Sequence, residues 1–87
     1  MSYEDPKQLR LDALAAVLKG HGLSVDPIMG GLVARDAQAK VVVTCRPYQA
    51  DDRKLWFFAE PDLPLADADR LTDTVVAVKG HLAASTR

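Results

Sequence analysis

Residues 40–60 read KVVVTCRPYQADDRKLWFFAE and contain the two clearest strand signals in the chain. The first signal, residues 40–46, is rich in β-branched side chains, and the second, residues 53–60, is rich in aromatic ones; both types favour strands. Between them, residues 47–52 include a proline and two aspartates, which are typical of turns. A connection this short joins neighbouring antiparallel strands, so the stretch predicts a β-hairpin.

Apolar side chains at helical spacing flank this hairpin on both sides. Pro6 follows the N-cap candidate Asp5, and the leucines beyond it predict a helix over residues 6–19. Near the other end, apolar residues recur in alternating steps of three and four and predict a helix over residues 66–82. A Lys-Gly pair at the end of each run is expected to end the helix. The recurring residues are Leu11, Leu14, Ala15 and Leu18 in the first helix, and Ala68, Leu71, Val75, Val78 and Leu82 in the second.

The segments between these elements predict one further strand and two loops. Residues 28–35 are predicted as a strand weakened by Gly30 and Gly31, where a bulge or a close approach of the backbone is expected. Residues 25–27 and 61–64 are predicted as loops. The fold class is therefore α+β, with a three-stranded antiparallel meander and both helices on one face of it in two layers. No composition break divides the chain, so residues 1–87 are predicted to form one domain.

Composition and charge exclude several classes of protein. The 87 residues carry 11 Lys and Arg against 12 Asp and Glu, for a net charge of -1, and a nucleic-acid binder usually needs a basic surface. The longest apolar run, residues 13–18, is too short to cross a bilayer, and the N-terminus lacks the pattern of a signal peptide. We therefore expect a cytoplasmic protein with no membrane partner. The excess of Ala and Asp and the absence of Asn are associated with GC-rich bacterial genomes.

Residues with catalytic or metal-binding chemistry are too few to make a site. Cys45 is the only cysteine, so the chain has no internal disulfide and no thiolate-rich zinc site, and its place in a strand favours a buried apolar role. The two histidines, His21 and His81, each follow a Lys-Gly pair and supply too few ligands for a metal. The chain is accordingly predicted to be neither an enzyme nor a cofactor-binding protein. The acidic residues before and within the second helix are expected to stabilise its first turn: Asp62, Asp67, Asp69 and Asp73.

Alternation along the two clear strands gives the sheet two apolar faces. One face would carry Val41, Val43, Cys45, Leu55, Phe57 and Ala59, and the other would carry Val42, Thr44, Trp56 and Phe58. A face open to water shows polar residues at alternate positions, so the face that does not meet the helices is also expected to be covered, by a partner or by another part of the chain. The residues on this second face are predicted to be the set with Trp56 and Phe58, since large aromatic residues dominate interface anchors.

Two functional hypotheses follow from these faces. In the first, Trp56, Phe58, Val42 and Thr44 bind a protein partner, either a second copy of the chain or another protein. The alternative for the same face is that a loop or a terminus of the chain covers it. In the second hypothesis, a pocket between sheet and helices binds a small anionic ligand through Arg46 or Arg53. A third and weaker hypothesis is binding to nucleic acid, and an enzymatic function has the least support.

The predicted order of helix, three strands and helix over residues 6–84 resembles that of double-stranded RNA-binding domains. It is also similar in outline to secretion-chaperone-like folds, a resemblance that implies pairing through apolar surface. The RNA-binding family places a glycine loop and a lysine cluster at the start of its final helix, where residues 65–70 here read Leu-Ala-Asp-Ala-Asp-Arg. Because Arg70 is the only base there, no RNA-binding residue is carried over.

Overall fold

The structure, a computed structural model, describes residues 6–85. Along the chain, one helix precedes five strands and a second helix follows them. The strands form one antiparallel sheet in the order β1-β2-β3-β4-β5. The predicted α+β class is confirmed, with five strands where the sequence predicted three. The N-cap prediction for Asp5 lies outside the described residues. The elements are α1 (Pro6–Gly20), β1 (Ser24–Ile28), β2 (Gly31–Arg35), β3 (Lys40–Tyr48), β4 (Lys54–Ala59), β5 (Leu63–Asp67) and α2 (Leu71–Ser85).

Both helices pack on the same face of the sheet, as the sequence predicted. The apolar stripe of α1 buries Leu11, Leu14 and Leu18, and that of α2 buries Val75, Val78 and Leu82. Phe57 is the largest side chain that is completely buried between these helices and the sheet. Leu32 and five sheet residues that are small or β-branched complete this core: Ala34, Val41, Val43, Cys45 and Ala59. The short side chains let the helices approach the sheet closely.

The first strand corrects the prediction that residues 25–27 form a loop. Ser24–Ile28 is an edge strand that pairs with β2, and Gly30 has a φ of +77° in the turn between them. Gly30 and Gly31 therefore separate two strands, whereas the prediction placed them inside one strand over residues 28–35. The strand signal is weak because Val25 is the one residue of β1 that is even half-buried. Pro27 is tolerated because an edge strand pairs on one side only.

The last strand corrects the prediction of a loop at residues 61–64 and of a helix that begins at residue 66. Leu63–Asp67 pairs with β4 as the opposite edge strand, after a turn that contains the cis peptide Glu60-Pro61. The final helix begins at Leu71, with Arg70 N–H donating to the Asp67 carbonyl just before it. The order is thus helix, five strands, helix, which differs from the three-strand order behind the resemblance to double-stranded RNA-binding domains.

Two predicted element ends also lie elsewhere. The third strand continues through Pro47 to Tyr48, where the prediction ended it at residue 46. The second helix passes through Lys79 and Gly80, which were expected to end it, because Leu82 beyond them is buried in the core, and it ends at Ser85 rather than at residue 82. In the part of the chain that the structure describes, neither helix is long and apolar enough to cross a membrane.

Candidate functional site

The four residues predicted to bind a partner lie together on the sheet face that points away from the helices, called here the open face. They occupy the two neighbouring strands β3 and β4, where Thr44 pairs directly with Phe58. Val42, Thr44 and Trp56 are half-buried, whereas Phe58 is only 5% exposed although it lies outside the core between sheet and helices. Side chains of the open face itself must therefore cover Phe58.

An aromatic cluster of Tyr48, Trp56 and Phe58 supplies part of that cover. The ring of Tyr48 meets Trp56 edge-on at a centroid distance of 4.8 Å and meets Phe58 edge-on at 5.4 Å. Edge-to-face contacts at these distances are favourable because the positive edge of one ring meets the negative face of the other. The open face thus contains a second, smaller apolar cluster centred on Phe58.

Arg46 covers the other part of Phe58 and is held there by two oxygen acceptors. Its guanidinium carbon lies 4.3 Å from the Phe58 ring centroid. Its Nη2 donates to the Asp62 carboxylate at 3.2 Å and to the Pro61 carbonyl at 3.5 Å. Arg46 is therefore already paired with an anion of its own chain. The shallow hollow it lines, of about 360 Å³, is on the open face, and not between sheet and helices as the ligand hypothesis placed it.

The loop between β3 and β4 is tied to the aromatic cluster through Trp56. The indole Nε1 of Trp56 donates to the Asp51 carboxylate at 2.9 Å. Asp52 and Arg53 follow in the left-handed region, with φ of 53° and 62°. This backbone costs free energy in residues other than glycine, so the hydrogen bond of Asp51 helps to hold a strained loop. Arg53 lies exposed in this loop and does not line the hollow beside Arg46.

An apolar stripe crosses the open face from β2 to β5. Val33 pairs with Val42, Thr44 pairs with Phe58, and Phe58 pairs with Pro64 across successive strands. Two polar atoms on this stripe, Thr44 Oγ1 and Arg46 Nε, are buried without a hydrogen-bond partner among the described residues.

The charged residues beside the stripe are largely neutralised within the chain. Arg35 meets Asp26 at 2.7 Å on one side, and Lys54 meets Asp67 at 3.2 Å on the other. With the pair of Arg46 and Asp62, three of the basic side chains on this face have a carboxylate of their own. The open face thus presents apolar surface with little net charge.

Asp67 connects the end of β5 to the start of α2. Its carboxylate accepts a hydrogen bond from the Asp69 amide at 2.8 Å and lies 3.2 Å from Lys54 Nζ. The Asp69 amide first, and Lys54 second, hold the pKa of this carboxyl below its ordinary value, although partial burial opposes them. In turn, Asp67 raises the pKa of Lys54. Asp67 thus helps stabilise the turn before α2, while Asp73 is the acidic residue in the helix's first turn.

We expect Asp67→Asn to destabilise the fold by about 1 kcal/mol at pH 7, because it removes a charge-assisted hydrogen bond at a side chain only 13% exposed. Because the pKa of Asp67 is lower in the folded than in the unfolded protein, its carboxylate stabilises the fold fully at a pH above the unfolded pKa. This contribution is lost as the pH falls through the folded pKa. The gap between wild type and variant should therefore close below roughly pH 4. Urea denaturation at several pH values measures it, with exposed Asp12→Asn as control. A gap that persists unchanged in acid would contradict the role of the charge.

The residues considered for catalysis or metal binding remain dispersed. Cys45 is buried in the core at 3% exposure, and Lys79 Nζ lies 3.3 Å from His21 Nδ1 where the helices meet. Within residues 6–85, no group of three or more His, Cys, Asp or Glu side chains is placed to hold a metal ion.

Sequence reasoning missed Tyr48 and the two aspartates that organise the open face, Asp51 and Asp62. One signal could have found Tyr48, since the alternation of Val42, Thr44 and Arg46 continues through Pro47 to that residue. No protein-family model, curated protein or solved structure matches the chain.

Proposed function

We propose that this protein is a non-catalytic, cytoplasmic interaction module that self-associates by packing its open face against the same face of a second copy. The observation that carries the proposal is the apolar stripe from Val33 to Pro64, which no other element of the described chain covers. Two sheets that pack face to face with apolar side chains between them form a stable arrangement found in many proteins. The half-buried Trp56 would lie at the interface.

Charge and symmetry favour a second copy as the partner. In a two-fold dimer each patch meets itself, so a strongly charged patch would repel its copy. The internal pairing of Arg35, Arg46 and Lys54 with aspartates removes most of that repulsion. In addition, the stripe runs from β2 to β5, so a two-fold axis near Thr44 and Phe58, at its middle, would superpose the stripe on its copy.

Edge-to-edge association is disfavoured by the same structure. Both edge strands contain a proline, Pro27 in β1 and Pro64 in β5. Proline lacks the N–H that an added strand would need, and it is one of the common ways in which proteins block their sheet edges. Association through the sheet is therefore expected to use its open face.

The expected affinity is modest. Four strands spaced at ~4.8 Å and about five residues long give the stripe a footprint of roughly 330 Å². A standard interface buries about 800 Å² on each partner, so this contact falls among weak and reversible complexes. The dimer should accordingly dissociate on dilution.

We expect light scattering to show a mass that rises with concentration from 9.4 kDa towards twice that value. Val42→Asp, a change within the stripe, should remain monomeric at every concentration while its circular dichroism stays native, because an unpaired charge would be buried at the interface. Trp56→Asp should also abolish association. Val76→Asp is the matched control, because Val76 is 67% exposed on α2 and distant from the open face.

Two outcomes would contradict this proposal. A wild-type protein that stays monomeric up to submillimolar concentration would exclude self-association through this face. Association that survives Val42→Asp but is abolished by Val76→Asp would place the interface on the helices instead. Trp56 emission adds an independent measurement, since it should shift to the red as the dimer dissociates.

The alternative hypothesis of an anionic ligand at Arg46 or Arg53 has less support. A ligand would have to displace Asp62 from Arg46, or bind at the exposed loop position of Arg53. Uptake of an acidic ligand that is abolished by Arg46→Gln, with self-association unchanged, would favour it over the dimer.

A further inference from the structure

The helical layer leaves part of the opposite sheet face uncovered at one edge. Helix α1 packs against β1, β2 and β3, yet β1 buries none of its residues fully and only Val25 by half. A cavity of about 310 Å³, partly open to solvent, remains between α1 and the β1–β2 hairpin. It lies on the helix side of the sheet, away from the open face.

The walls of this groove are mainly apolar. Helix α1 contributes Leu11, Ala15 and Ala16 along one side, and the hairpin contributes Val25, Pro27 and Leu32 along the other. The two alanines have short side chains, which leave the space that larger residues would fill. From Leu11 to Lys19 the helix rises about 12 Å, so α1 lines the groove over at least that length.

The two ends of the groove differ in charge. Lys19 lies at the end nearest Val25, and no carboxylate of residues 6–85 makes an ion pair with it. Asp12 lies further along, where it accepts a hydrogen bond from the Gln8 amide at 2.8 Å. Among the described residues that line the groove, Lys19 is therefore the one base and Asp12, beside Gln8, is the one acid, and they lie two helical turns apart on an otherwise mainly apolar wall.

From this arrangement we infer that the groove binds a single-chain amphiphile with an anionic head, in particular a medium-chain carboxylate. The carboxylate pairs with the Lys19 ammonium, and the alkyl chain runs between Ala16 and Val25 towards Pro27. Asp12 disfavours a head group placed midway along the groove, which sets the direction of the chain. This binding site is separate from the open face and does not depend on self-association.

The test is a titration of the ¹⁵N-labelled protein with octanoate, decanoate and dodecanoate below their micelle concentrations. We expect saturable amide shifts at Ala15, Ala16, Val25 and Leu32. Affinity should increase with chain length by up to about fourfold per methylene until the groove is full, because each methylene leaves water. Shifts that do not saturate, or that centre on Val42 and Trp56, would overturn the assignment.

A pair of tryptophan variants distinguishes binding in the groove from non-specific binding of the ligand to the protein surface. Ala16→Trp should abolish the binding of decanoate by filling the groove, whereas Ala13→Trp, at an exposed position outside it, should leave binding unchanged. Equal affinity in these two variants would contradict the site.

Lysine variants test the head group. Lys19→Gln should lower the affinity for decanoate by about two- to fivefold, as expected for the loss of an exposed ion pair, and leave the affinity for decanol unchanged. Lys40→Gln, at the start of β3 and outside the groove, should change neither of these two affinities. Decanoate binding that is insensitive to Lys19→Gln would overturn the assigned direction of the ligand.

Discussion

Gly31→Ala is expected to destabilise the protein by about 3 kcal/mol, the upper end of what overpacking costs. Gly31 is buried at the start of β2, where it pairs with Thr44 of the central strand. A Cβ on Gly31 would overlap the carbonyl oxygen of Val43 and would also press on the Thr44 methyl. Because the oxygen belongs to the backbone of a central strand, a side-chain rotation cannot relieve the contact, and β2 would have to move away from β3.

Gly80→Ala provides the matched control for this variant. Gly80 lies inside α2, and an added Cβ would meet nothing within 4 Å. Alanine is favoured over glycine inside a helix by up to about 1 kcal/mol, so this variant should be slightly more stable than wild type. Urea denaturation of both variants measures the difference. If Gly31→Ala were as stable as wild type, β2 could not lie as close to β3 at Gly31 as the structure places it.

The central elements could be predicted from the sequence because their side chains face a core. Helix α1 shows leucines at helical spacing, and β3 and β4 show runs of β-branched and aromatic residues. Each of these elements buries at least one of its faces, and this burial requires a run of apolar side chains that is long enough to be recognised in the sequence. The α+β class and the packing of both helices on one face followed from these elements.

The edge strands could not be predicted, since their sequences carry almost no pattern. Strand β1 has the sequence Ser-Val-Asp-Pro-Ile and β5 has the sequence Leu-Pro-Leu-Ala-Asp. A strand at the edge of a sheet pairs on one side and buries few side chains, so proline and aspartate are tolerated. Pairing with β2 and β4 stabilises these segments, and that tertiary effect is absent from their local composition.

The open face was predictable only in part. Alternation separates Trp56 and Phe58 from Phe57, yet it leaves open how each ring is covered. The covering groups of Phe58 are Arg46, which is stacked on its ring, and Tyr48, which reaches it across the hairpin. These contacts depend on the register of β3 against β4 and on a left-handed loop, and a single sequence specifies neither.

Phe57→Ala is expected to lower the free energy of unfolding by about 3–5 kcal/mol, the range found when a buried Phe is replaced by Ala. Phe57 is completely buried in the core formed with both helices, and its neighbour Trp56 is half-buried on the opposite face. Because small domains are stable by only about 5–15 kcal/mol, this loss would leave the variant marginally folded. Its melting temperature should fall by about 15–30 °C.

Trp56→Ala should cost far less, about 1–2 kcal/mol, because it removes the hydrogen bond to Asp51 and the edge contact with Tyr48 but opens no cavity in the core. Thermal denaturation of the two variants therefore measures which face of β4 supports the fold. A loss at Trp56 as large as that at Phe57 would mean that the open face is a second core required for folding. The self-association proposal would then fail, because Trp56 would be required to fold the monomer and would not be available to a partner.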